Sequence, residues 1–428
     1  MSDRTVSGGG RLEGEVRVPG DKSVSHRALI FGALADGTTE AVGLAPGADV
    51  RSTAGVLSSL GVAITGAGAD ATVKGRGLGG LTAPKTDLDA GNSGTTMRLM
   101  AGVLSGHAFT SRLVGDESLS RRPMERVAAP LRALGAKIEL TPGGTAPMTV
   151  RGGELRGAEV TLKVASAQVK SAAILAGLHA TGSTTVIEPA ATRDHTEKML
   201  ALFGAAVRRD GLASRVEGGT RLRGTRVEVP GDPSSSAFWA VAAALMPGSE
   251  LRISGVMANP TRVGYLTVLQ RMGADIQREK SAERAGEACE DFIVRSGRLR
   301  ATDISAAEVP GLVDEVPILA LAAALADGTS RFHGLDELRH KESDRLEGIA
   351  ALLGRFGVKT TVTGDDLIIE GRAGLTGAKV DSLGDHRLAM TGFVAGCLAS
   401  GETTVRDAGC AEISYPSFYE DFLARRRG

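Results

Sequence analysis

The 428-residue chain lacks the features of disulfide-rich, membrane and nucleic-acid-binding proteins. Its three cysteines, Cys289, Cys397 and Cys410, have spacings that suit neither a metal site nor a disulfide framework. Fifty basic residues balance fifty acidic ones, which argues against a surface that binds nucleic acid or acidic lipid as a whole. No apolar run reaches the ~18 residues of a membrane span, and the first residues lack the apolar segment of a signal peptide. We therefore expect a cytoplasmic protein without membrane contact.

Familiar cofactor and hydrolase motifs are also missing. Residues 75–80 match the GxGxxG pattern by letter, but Pro84 follows too closely for the helix that a dinucleotide site requires. Residues 20–23 resemble the end of a phosphate-binding P-loop but lack its glycines. No zinc-protease, EF-hand or serine-hydrolase pattern occurs, so metal and serine-hydrolase chemistry have no support.

Glycine, in contrast, is abundant and regularly placed, with 58 residues. A turn glycine between a small-residue segment and a Thr/Val-rich segment recurs at Gly37, Gly106, Gly182, Gly248, Gly328 and Gly401. The pattern predicts six units of helix, strand, helix and two strands, although coincidental glycine spacing remains an alternative. An even split of six units places a domain boundary near residues 227–231. We expect two three-unit α/β domains with a cleft between them.

Five segments are typical of helix beginnings that bear cations. They are residues 19–27, 92–98, 121–123, 166–171 and 385–388. Free backbone N–H groups at a helix start bind anions, and Ser23 and Arg27 share one helix face. Gly94 lets a ligand approach the backbone, and the two arginines before Pro123 suit phosphate or carboxylate. Each segment alone also fits an ordinary N-cap beside a solvated basic residue.

Residues 339–346 are predicted to start an amphipathic helix on which Lys341 and Arg345 lie one turn apart. Such like charges repel unless an anion lies between them. A bound substrate is one candidate anion, and Glu342 with Asp344 is the other.

One carboxylate and four histidines in or near these segments are titratable. Asp314 precedes an apolar segment, so its carboxylate either caps a helix or acts as a base. The histidines of the segments are His26, His195, His340 and His386. Each lies near an arginine or lysine that disfavours its charged form, so we interpret them as hydrogen-bonding supports.

In this order, the motifs resemble those of the 5-enolpyruvylshikimate-3-phosphate synthases (3-phosphoshikimate 1-carboxyvinyltransferases). The matching motifs are residues 20–27, 92–95, 122–124, 166–168, 341–345 and 385–387. The resemblance implies an α/β (α+β) fold, a two-domain inside-out α/β barrel whose domains each hold three βαβαββ units around a pseudo-threefold axis. Residues 1–19 with 230–428 would form the lower domain and residues 20–229 the upper domain, with the active site in the cleft.

The resemblance also implies the reaction. The family transfers the enolpyruvyl group of phosphoenolpyruvate to the 5-hydroxyl of shikimate 3-phosphate through a tetrahedral intermediate, and releases phosphate. This step belongs to the shikimate pathway of aromatic amino acid biosynthesis. It requires no metal and no organic cofactor. The partners would be these small-molecule substrates and no nucleic acid, and the chain would be a monomer.

Site residues follow from the resemblance position by position. The catalytic residues would be Asp314 as base toward the 5-hydroxyl, Glu342 as proton donor to the methylene, and Lys22 as an aid at the reacting centre. The residues that would bind shikimate 3-phosphate are Lys22, Ser23, Arg27, Ser166, Gln168, Arg193, Asp314 and Lys341. The residues that would bind phosphoenolpyruvate are Lys22, Gly94, Arg122, Gln168, Arg345 and Arg387.

Departures from the commonest family pattern point to its second class, which is often tolerant of glyphosate. Ala167 stands for a frequent serine, His195 for a frequent tyrosine and Ile413 for a C-terminal lysine that would contact phosphoenolpyruvate. Gly94, however, matches the glyphosate-sensitive form, so inhibitor response stays open.

Two other functions fit the sequence less well. The enolpyruvyl transferases that act on UDP-N-acetylglucosamine usually carry a cysteine in the loop before the Arg-Pro pair, and residues 115–120 have none. A phosphate-binding module without activity would gain nothing from Asp314 and Glu342, because carboxylates repel anions.

Overall fold

The computed structural model describes residues 2–66 and 68–428. The chain divides into two compact units. The central unit comprises Gly20–Pro230 with Arg284–Gly286, and the terminal unit comprises the chain up to Pro19, Gly231–Glu283 and Glu287–Gly428. The terminal unit opens with strands β1 (Arg4–Ser7) and β2 (Arg11–Val16).

In its described residues, the central unit contains seven helices and three four-stranded sheets. Its helices are α1 (Lys22–Leu34), α2 (Ala48–Ser59), α3 (Gly94–Ser105), α4 (Glu117–Arg121), α5 (Glu125–Ala133), α6 (Ala167–His179) and α7 (His195–Leu202). Its strands are β3 (Ala35–Asp36), β4 (Thr38–Val42), β5 (Ala63–Thr65), β6 (Ala71–Lys74), β7 (Leu88–Asp89), β8 (Thr110–Val114), β9 (Lys137–Glu139), β10 (Met148–Arg151), β11 (Glu159–Thr161), β12 (Ser183–Ile187), β13 (Arg208–Asp210), β14 (Ala213–Glu217), β15 (Leu222–Arg223) and β16 (Arg226–Glu228). The sheets have the orders β16-β4-β6-β5, β7-β8-β10-β9 and β11-β12-β14-β13, and β15 pairs with β3.

The rest of the terminal unit follows the same plan. Its helices are α8 (Pro233–Leu245), α9 (Gly264–Arg271), α10 (Val316–Ala324), α11 (Arg345–Arg355), α12 (His386–Leu398) and α13 (Phe418–Arg425), with 3-10 helices at Val309–Gly311, Val313–Glu315, Asp336–His340 and Ala408–Ile413. Its strands are β17 (Glu250–Met257), β18 (Asp275–Arg284), β19 (Glu287–Arg295), β20 (Asp303–Ile304), β21 (Thr329–Phe332), β22 (Lys359–Thr363), β23 (Asp366–Glu370), β24 (Leu375–Thr376), β25 (Lys379–Asp381), β26 (Ala399–Ser400), β27 (Glu402–Arg406) and β28 (Arg426–Arg427). The sheets have the orders β18-β19-β17-β2-β28, β20-β21-β23-β22 and β1-β27-β25, and β24 pairs with β26.

Six larger sheets share one pairing pattern, in agreement with the six predicted units. In each, a parallel pair such as β7 and β8 is extended by an antiparallel strand. In the last sheet that antiparallel strand is β1, where Val6 lies opposite Thr403. The N-terminal residues thus complete the sixth sheet. Each larger sheet has two edge strands, so none of those in the described residues closes into a barrel.

The recurring turn glycines have a conformational reason. Five of the six have positive φ values, for example 84° at Gly182 and 104° at Gly328. Other residues rarely adopt this left-handed conformation. Gly106 is the exception, with φ of −89° at the end of α3.

Six helices form the cores of the units. In the central unit α1, α3 and α6 bury nearly all their residues, as α8, α10 and α12 do in the terminal unit. A helix that is apolar on every side is stable only inside a protein core. In the terminal unit, Trp239 of α8 stacks on Phe422 with ring centroids 5.1 Å apart. No helix among the described residues has both the length and the apolar character needed to cross a bilayer.

Most of the predicted helix beginnings are present. Asp21, Ser93, Ser166 and Asp385 are N-caps whose side chains accept a hydrogen bond from a backbone N–H of the first turn. A side-chain cap of this kind typically contributes about 1 kcal/mol.

The helix predicted after Pro123 is present, but it begins at Glu125 and not at the proline itself. Arg122 is extended, with ψ of 142°, as is usual for a residue that precedes proline.

The helix start predicted within residues 339–346 is wrong, because the helix begins later than expected. Asp336–His340 is a 3-10 helix, Lys341 is extended, and α11 begins only at Arg345. Asp344 caps α11 by accepting from the backbone N–H of Glu347. Lys341 and Arg345 are therefore not one turn apart on a helix.

Candidate active site

Lys22 lies at the start of α1 in the central unit. Its Nζ donates to Oδ2 of Asp49, on α2, at 3.0 Å, and its side chain is 20% exposed. Asp21 caps the helix by accepting from the backbone N–H of Val24 at 2.8 Å. The ammonium group is thus held at a helix N-terminus, where backbone N–H groups also attract anions.

Arg27, one turn further along α1, is buried and held by three helices. Its Nε donates to Thr196 of α7 at 2.8 Å and its Nη2 to Ser171 of α6 at 2.8 Å. Its Nη1 donates to the backbone oxygen of Ser23 at 2.9 Å. Ser23 is therefore close to Arg27, as the shared face predicts.

The other residues predicted to bind shikimate 3-phosphate are spread over the starts of two helices. Ser166 caps α6, and Gln168 follows in its first turn. Arg193 lies two residues before α7 and directly after the buried Thr192.

Gly94, Arg122 and Gln168 are brought together at the start of α3. Gln168 Oε1 accepts from Arg98 Nη1 at 2.5 Å, and Arg122 Nη2 donates to Asn92 Oδ1 at 2.8 Å. A Cβ atom on Gly94 would lie 3.3 Å from Nη1 of Arg98 and 3.3 Å from Nη1 of Arg122. Glycine therefore leaves room for both guanidinium groups at a helix N-terminus.

Lys170, the basic residue of segment 166–171, does not bear out the prediction of an anion-binding cation at the helix N-terminus. It is fully buried on α6 and pairs with Glu188 and Glu197. The interpretation of Lys170 as part of an anion site is wrong, because its charge is already enclosed by carboxylates.

Asp314 lies among three cations of the terminal unit. Its Oδ1 is 3.7 Å from Lys341 Nζ, 3.5 Å from Arg345 Nη1 and 4.0 Å from Arg387 Nε. Arg387 Nη1 also donates to the backbone oxygen of Asp314 at 2.9 Å. Asp314 itself lies in the 3-10 helix Val313–Glu315, directly before the buried helix α10.

Arg345 links Asp314 to two further carboxylates. Its Nη2 donates to Glu342, and its Nε donates to Asp385 Oδ2 at 2.7 Å. Burial disfavours the charged guanidinium, but Asp385, Glu342 and Asp314 outweigh burial and raise the pKa of Arg345 above its usual value. Asp314 and Glu342 are therefore the neighbouring anions, whereas Asp344 pairs with Arg339.

His26 is a hydrogen-bonding support, as predicted. Its Nδ1 lies 2.7 Å from Thr53 Oγ1, which in turn lies 2.7 Å from Thr96 Oγ1. Burial, with the charges of Lys22 and Arg27, holds the pKa of His26 well below its usual value. A neutral imidazole links α1 to α2 and, through Thr96, to α3.

Comparison with known proteins identifies the family of this chain. Residues 6–422 match the family model of EPSP synthase (3-phosphoshikimate 1-carboxyvinyltransferase). The chain belongs to the EPSP synthase family. As a member, it is an enzyme, a transferase of the shikimate pathway that leads to aromatic amino acids.

Relatives of the EPSP synthase family match over nearly the whole chain. The 3-phosphoshikimate 1-carboxyvinyltransferase of Synechococcus sp. (strain JA-3-3Ab) is 52% identical, over 97% of this chain and 94% of its own. That of Bacillus thuringiensis subsp. konkukian is 46% identical, over 98% of this chain and 99% of its own. The 2.37 Å structure of EPSP synthase from Acinetobacter baumannii has a TM-score of 0.88 and 42% identity, and the match covers 99% of this chain and 98% of that one. The mixed α/β fold is therefore that of solved EPSP synthases.

Several residues around the EPSP synthase motifs were not predicted. Asp49, which holds Lys22, stands in no recognisable motif. Arg98 was included in segment 92–98, but its contact with Gln168 was not foreseen. Thr196 follows His195 yet gives no sign in the sequence that it accepts from Arg27.

Proposed function

We propose that two clusters of side chains bind shikimate 3-phosphate and phosphoenolpyruvate side by side and catalyse enolpyruvyl transfer between them. The central cluster is Lys22, Ser23, Arg27, Gly94, Arg122 and Gln168, and the terminal cluster is Asp314, Lys341, Glu342, Arg345 and Arg387. The products are 5-enolpyruvylshikimate 3-phosphate and phosphate. The observation that carries the proposal is the grouping of Lys341, Arg345 and Arg387 around Asp314 in a chain with no formal net charge. Local concentration of cations suits small substrates that each bear a phosphate and a carboxylate.

Shikimate 3-phosphate would bind mainly to the central unit. Ser23, Arg27, Ser166 and Arg193 would hold its phosphate and carboxylate, with Gln168 and Lys22 beside the ring. Asp314 and Lys341 would approach its hydroxyl groups from the terminal unit. In support, Arg27 is already held by α1, α6 and α7. Its side chain therefore loses little conformational entropy when a ligand binds.

Phosphoenolpyruvate would bind to cations of both units. Arg122, Gln168, Gly94 and Lys22 are its ligands in the central unit, and Arg345 and Arg387 are its ligands in the terminal unit. Planar guanidinium groups suit both the phosphate and the carboxylate of this substrate. The close approach of Arg98 and Arg122 to Gly94 supports the placing of an anion at this helix start.

The chemistry is an addition followed by an elimination. Glu342 gives a proton to the methylene carbon of phosphoenolpyruvate, and Asp314 takes the proton of the 5-hydroxyl as its oxygen attacks the neighbouring carbon. The carboxylate of Glu342 then takes a proton back from the methyl group of the tetrahedral adduct as the C–O bond to phosphate breaks. Lys22 and the arginines stabilise the charge that the leaving phosphate gains.

Glu342 must carry a proton for the first step, although it pairs with Arg345. An anionic substrate that binds Arg345 competes for the same guanidinium. We infer that substrate binding loosens the pair and leaves Glu342 able to act as an acid.

We also propose the family's domain arrangement for this chain. The domains would be residues 1–19 with 230–428 and residues 20–229, each with pseudo-threefold symmetry, its buried helices inside and its sheets outside. The helix starts would line the cleft between the domains, and the cleft would close on the first substrate and exclude water. The enzyme would act as a monomer in the cytoplasm, without a nucleic-acid partner.

Within the family, we propose membership of the second class. Ala167 at the start of α6 and His195 at the start of α7 carry this proposal, since a serine and a tyrosine are frequent at these positions. Inhibition by glyphosate at several phosphoenolpyruvate concentrations measures the consequence. Weak competitive inhibition would agree with the second class, and tight inhibition would contradict it.

Phosphate release is the experiment that tests the proposed reaction. The purified chain is mixed with phosphoenolpyruvate and either shikimate 3-phosphate or UDP-N-acetylglucosamine, and mixtures that lack one substrate are the controls. We expect phosphate only with shikimate 3-phosphate. Release with UDP-N-acetylglucosamine alone, or with neither acceptor, would reject the proposal.

A further inference from the structure

A buried triad of charged side chains lies next to the residues that hold Arg27. Lys170 Nζ on α6 is 2.9 Å from Glu188 Oε2 and 2.8 Å from Glu197 Oε1. Glu188 directly follows β12, and Glu197 is on α7. The side chains of Lys170 and Glu188 are fully buried, and that of Glu197 is 4% exposed.

Such a triad is poorly explained by stability alone. Removal of an ammonium or carboxylate group from water costs several kcal/mol, and the attraction between the partners often only offsets that cost. Apolar residues of similar volume commonly fill such a space with no loss of stability. A fixed geometry between α6, α7 and the end of β12 is the other benefit that the triad provides.

Two members of the triad, Lys170 and Glu197, are sequence neighbours of residues that hold Arg27. Ser171, after Lys170, accepts from Arg27 Nη2, and Thr196, before Glu197, accepts from Arg27 Nε. The hydroxyls of Ser171 and Thr196 are 2.6 Å apart. The triad therefore fixes the two side chains that orient the Arg27 guanidinium.

Glu188 orders the segment that carries Arg193. Glu188 accepts a hydrogen bond from the hydroxyl of Thr192, which is buried. Arg193 is the next residue in the chain. The position of the backbone at Arg193 is thus tied to the same triad that orders Arg27.

We propose that Lys170, Glu188 and Glu197 are positioning residues for binding of the phosphorylated acceptor. The triad contacts no substrate and acts through Ser171, Thr196 and Thr192 on Arg27 and Arg193. This inference rests on the proposed function, in which both arginines bind shikimate 3-phosphate. It predicts a selective effect on the acceptor, since the contacts of Ser171, Thr196 and Thr192 lead to Arg27 and to the segment of Arg193, which are assigned to shikimate 3-phosphate.

The test compares Lys170→Met and Glu197→Gln with the wild-type enzyme. KM is measured for each substrate, binding of shikimate 3-phosphate alone is measured by calorimetry, and stability by thermal unfolding. We expect KM and Kd for shikimate 3-phosphate to rise tenfold or more, and KM for phosphoenolpyruvate to change less than threefold. Val150→Ala, in the core strand β10 of the same unit, is the control for lost stability and should change neither KM.

The double variant Lys170→Met/Glu197→Gln gives a second readout. Residues that act as a unit show non-additive effects, so its KM for shikimate 3-phosphate should rise less than the product of the two single effects. If Lys170→Met does not fold, Glu197→Gln still tests the positioning role. Glutamine removes the charge of Glu197, but its amide oxygen still accepts from Lys170, so this variant is expected to fold.

The outcomes separate the two proposals. Lower melting temperatures with both KM values unchanged, as in Val150→Ala, would overturn the positioning role and leave the proposed function intact. Equal rises in KM for both substrates would also overturn it. A wild-type enzyme that neither binds nor uses shikimate 3-phosphate would overturn the proposed function itself, and the positioning role with it.

Discussion

Arg345 donates from Nε to Oδ2 of Asp385 at 2.7 Å, and both side chains are buried. The other oxygen of Asp385 accepts from the backbone N–H of Arg387 at the start of α12. One carboxylate therefore caps the helix that presents Arg387 and also orients Arg345. The two arginines assigned to phosphoenolpyruvate in the terminal unit depend on the same side chain.

Asp385→Asn should weaken phosphoenolpyruvate binding more than acceptor binding. Asparagine keeps the helix cap but removes the charge that compensates the buried Arg345, and loss of one partner of a buried pair typically costs about 3–5 kcal/mol. We expect a lower melting temperature and a KM for phosphoenolpyruvate raised tenfold or more, measured by phosphate release. Asp344→Asn, at the more exposed cap of α11, is the control and should change neither quantity appreciably. Similar effects in both variants would speak against a special role for Asp385.

The two proposed proton carriers should affect turnover rather than acceptor binding. Asp314→Asn and Glu342→Gln keep the shape of the side chains but remove the group that takes or gives a proton, and general acid–base catalysis is worth roughly 10²–10⁴ in rate. We expect kcat to fall by about that factor in each variant. Calorimetry should show that shikimate 3-phosphate still binds within a few-fold of wild type. A variant that retains more than a tenth of wild-type kcat would exclude that residue as a proton carrier.

Gly94→Ala should act on phosphoenolpyruvate alone. The added methyl group would lie 3.3 Å from the nearest guanidinium nitrogens of Arg98 and Arg122, so both side chains must move by a few tenths of an ångström. We expect a several-fold higher KM for phosphoenolpyruvate and an unchanged KM for shikimate 3-phosphate. Gly55→Ala on α2, where a Cβ meets no atom within 4 Å, is the matched control. Unchanged kinetics in Gly94→Ala would show that this helix start is not part of the phosphoenolpyruvate site.

The buried His107 and the partly buried His179 should make the protein less stable in mild acid. His107 and His179 lie with ring centroids 4.9 Å apart, and burial, together with the neighbouring His107, lowers the pKa of His179 from 6.5 to about 3. A depressed histidine pKa means that the unfolded chain binds the proton first, so stability falls as pH drops below about 6.5. The loss approaches about 1.4 kcal/mol per pH unit for one such group.

His179→Phe should remove part of that dependence. The free energy of unfolding in urea is measured at pH 7, 6 and 5, and we expect a smaller decrease toward pH 5 in the variant than in the wild type. His340→Gln, at an exposed position, should behave as the wild type does. Equal slopes in all three proteins would contradict the effect of burial on His179.

The features that the sequence predicts correctly are those that depend on neighbouring residues in the chain. Helix caps such as Ser93 and Asp385 were visible because a small polar residue accepts a hydrogen bond from the helix that follows it. The six units were visible because most of their turn glycines occupy a left-handed conformation that other residues avoid.

The features that were missed depend on pairs distant in sequence. Lys170 stood in a segment typical of an exposed helix start, but Glu188 and Glu197 enclose it from other elements. The sequence indicates Glu342 and Asp344 as internal anions near Lys341 and Arg345, whereas the structure adds Asp314, which precedes both in the chain. Local sequence does not contain such pairings, because they form only when the core brings separate elements together.

A crystal structure with shikimate 3-phosphate and a stable analogue of phosphoenolpyruvate tests the account most directly. The account predicts that the analogue contacts Arg122 of the central unit together with Arg345 and Arg387 of the terminal unit, with Asp314 near the 5-hydroxyl of the acceptor. An analogue bound to residues of one unit only, with Asp314 and Glu342 far from both ligands, would contradict it.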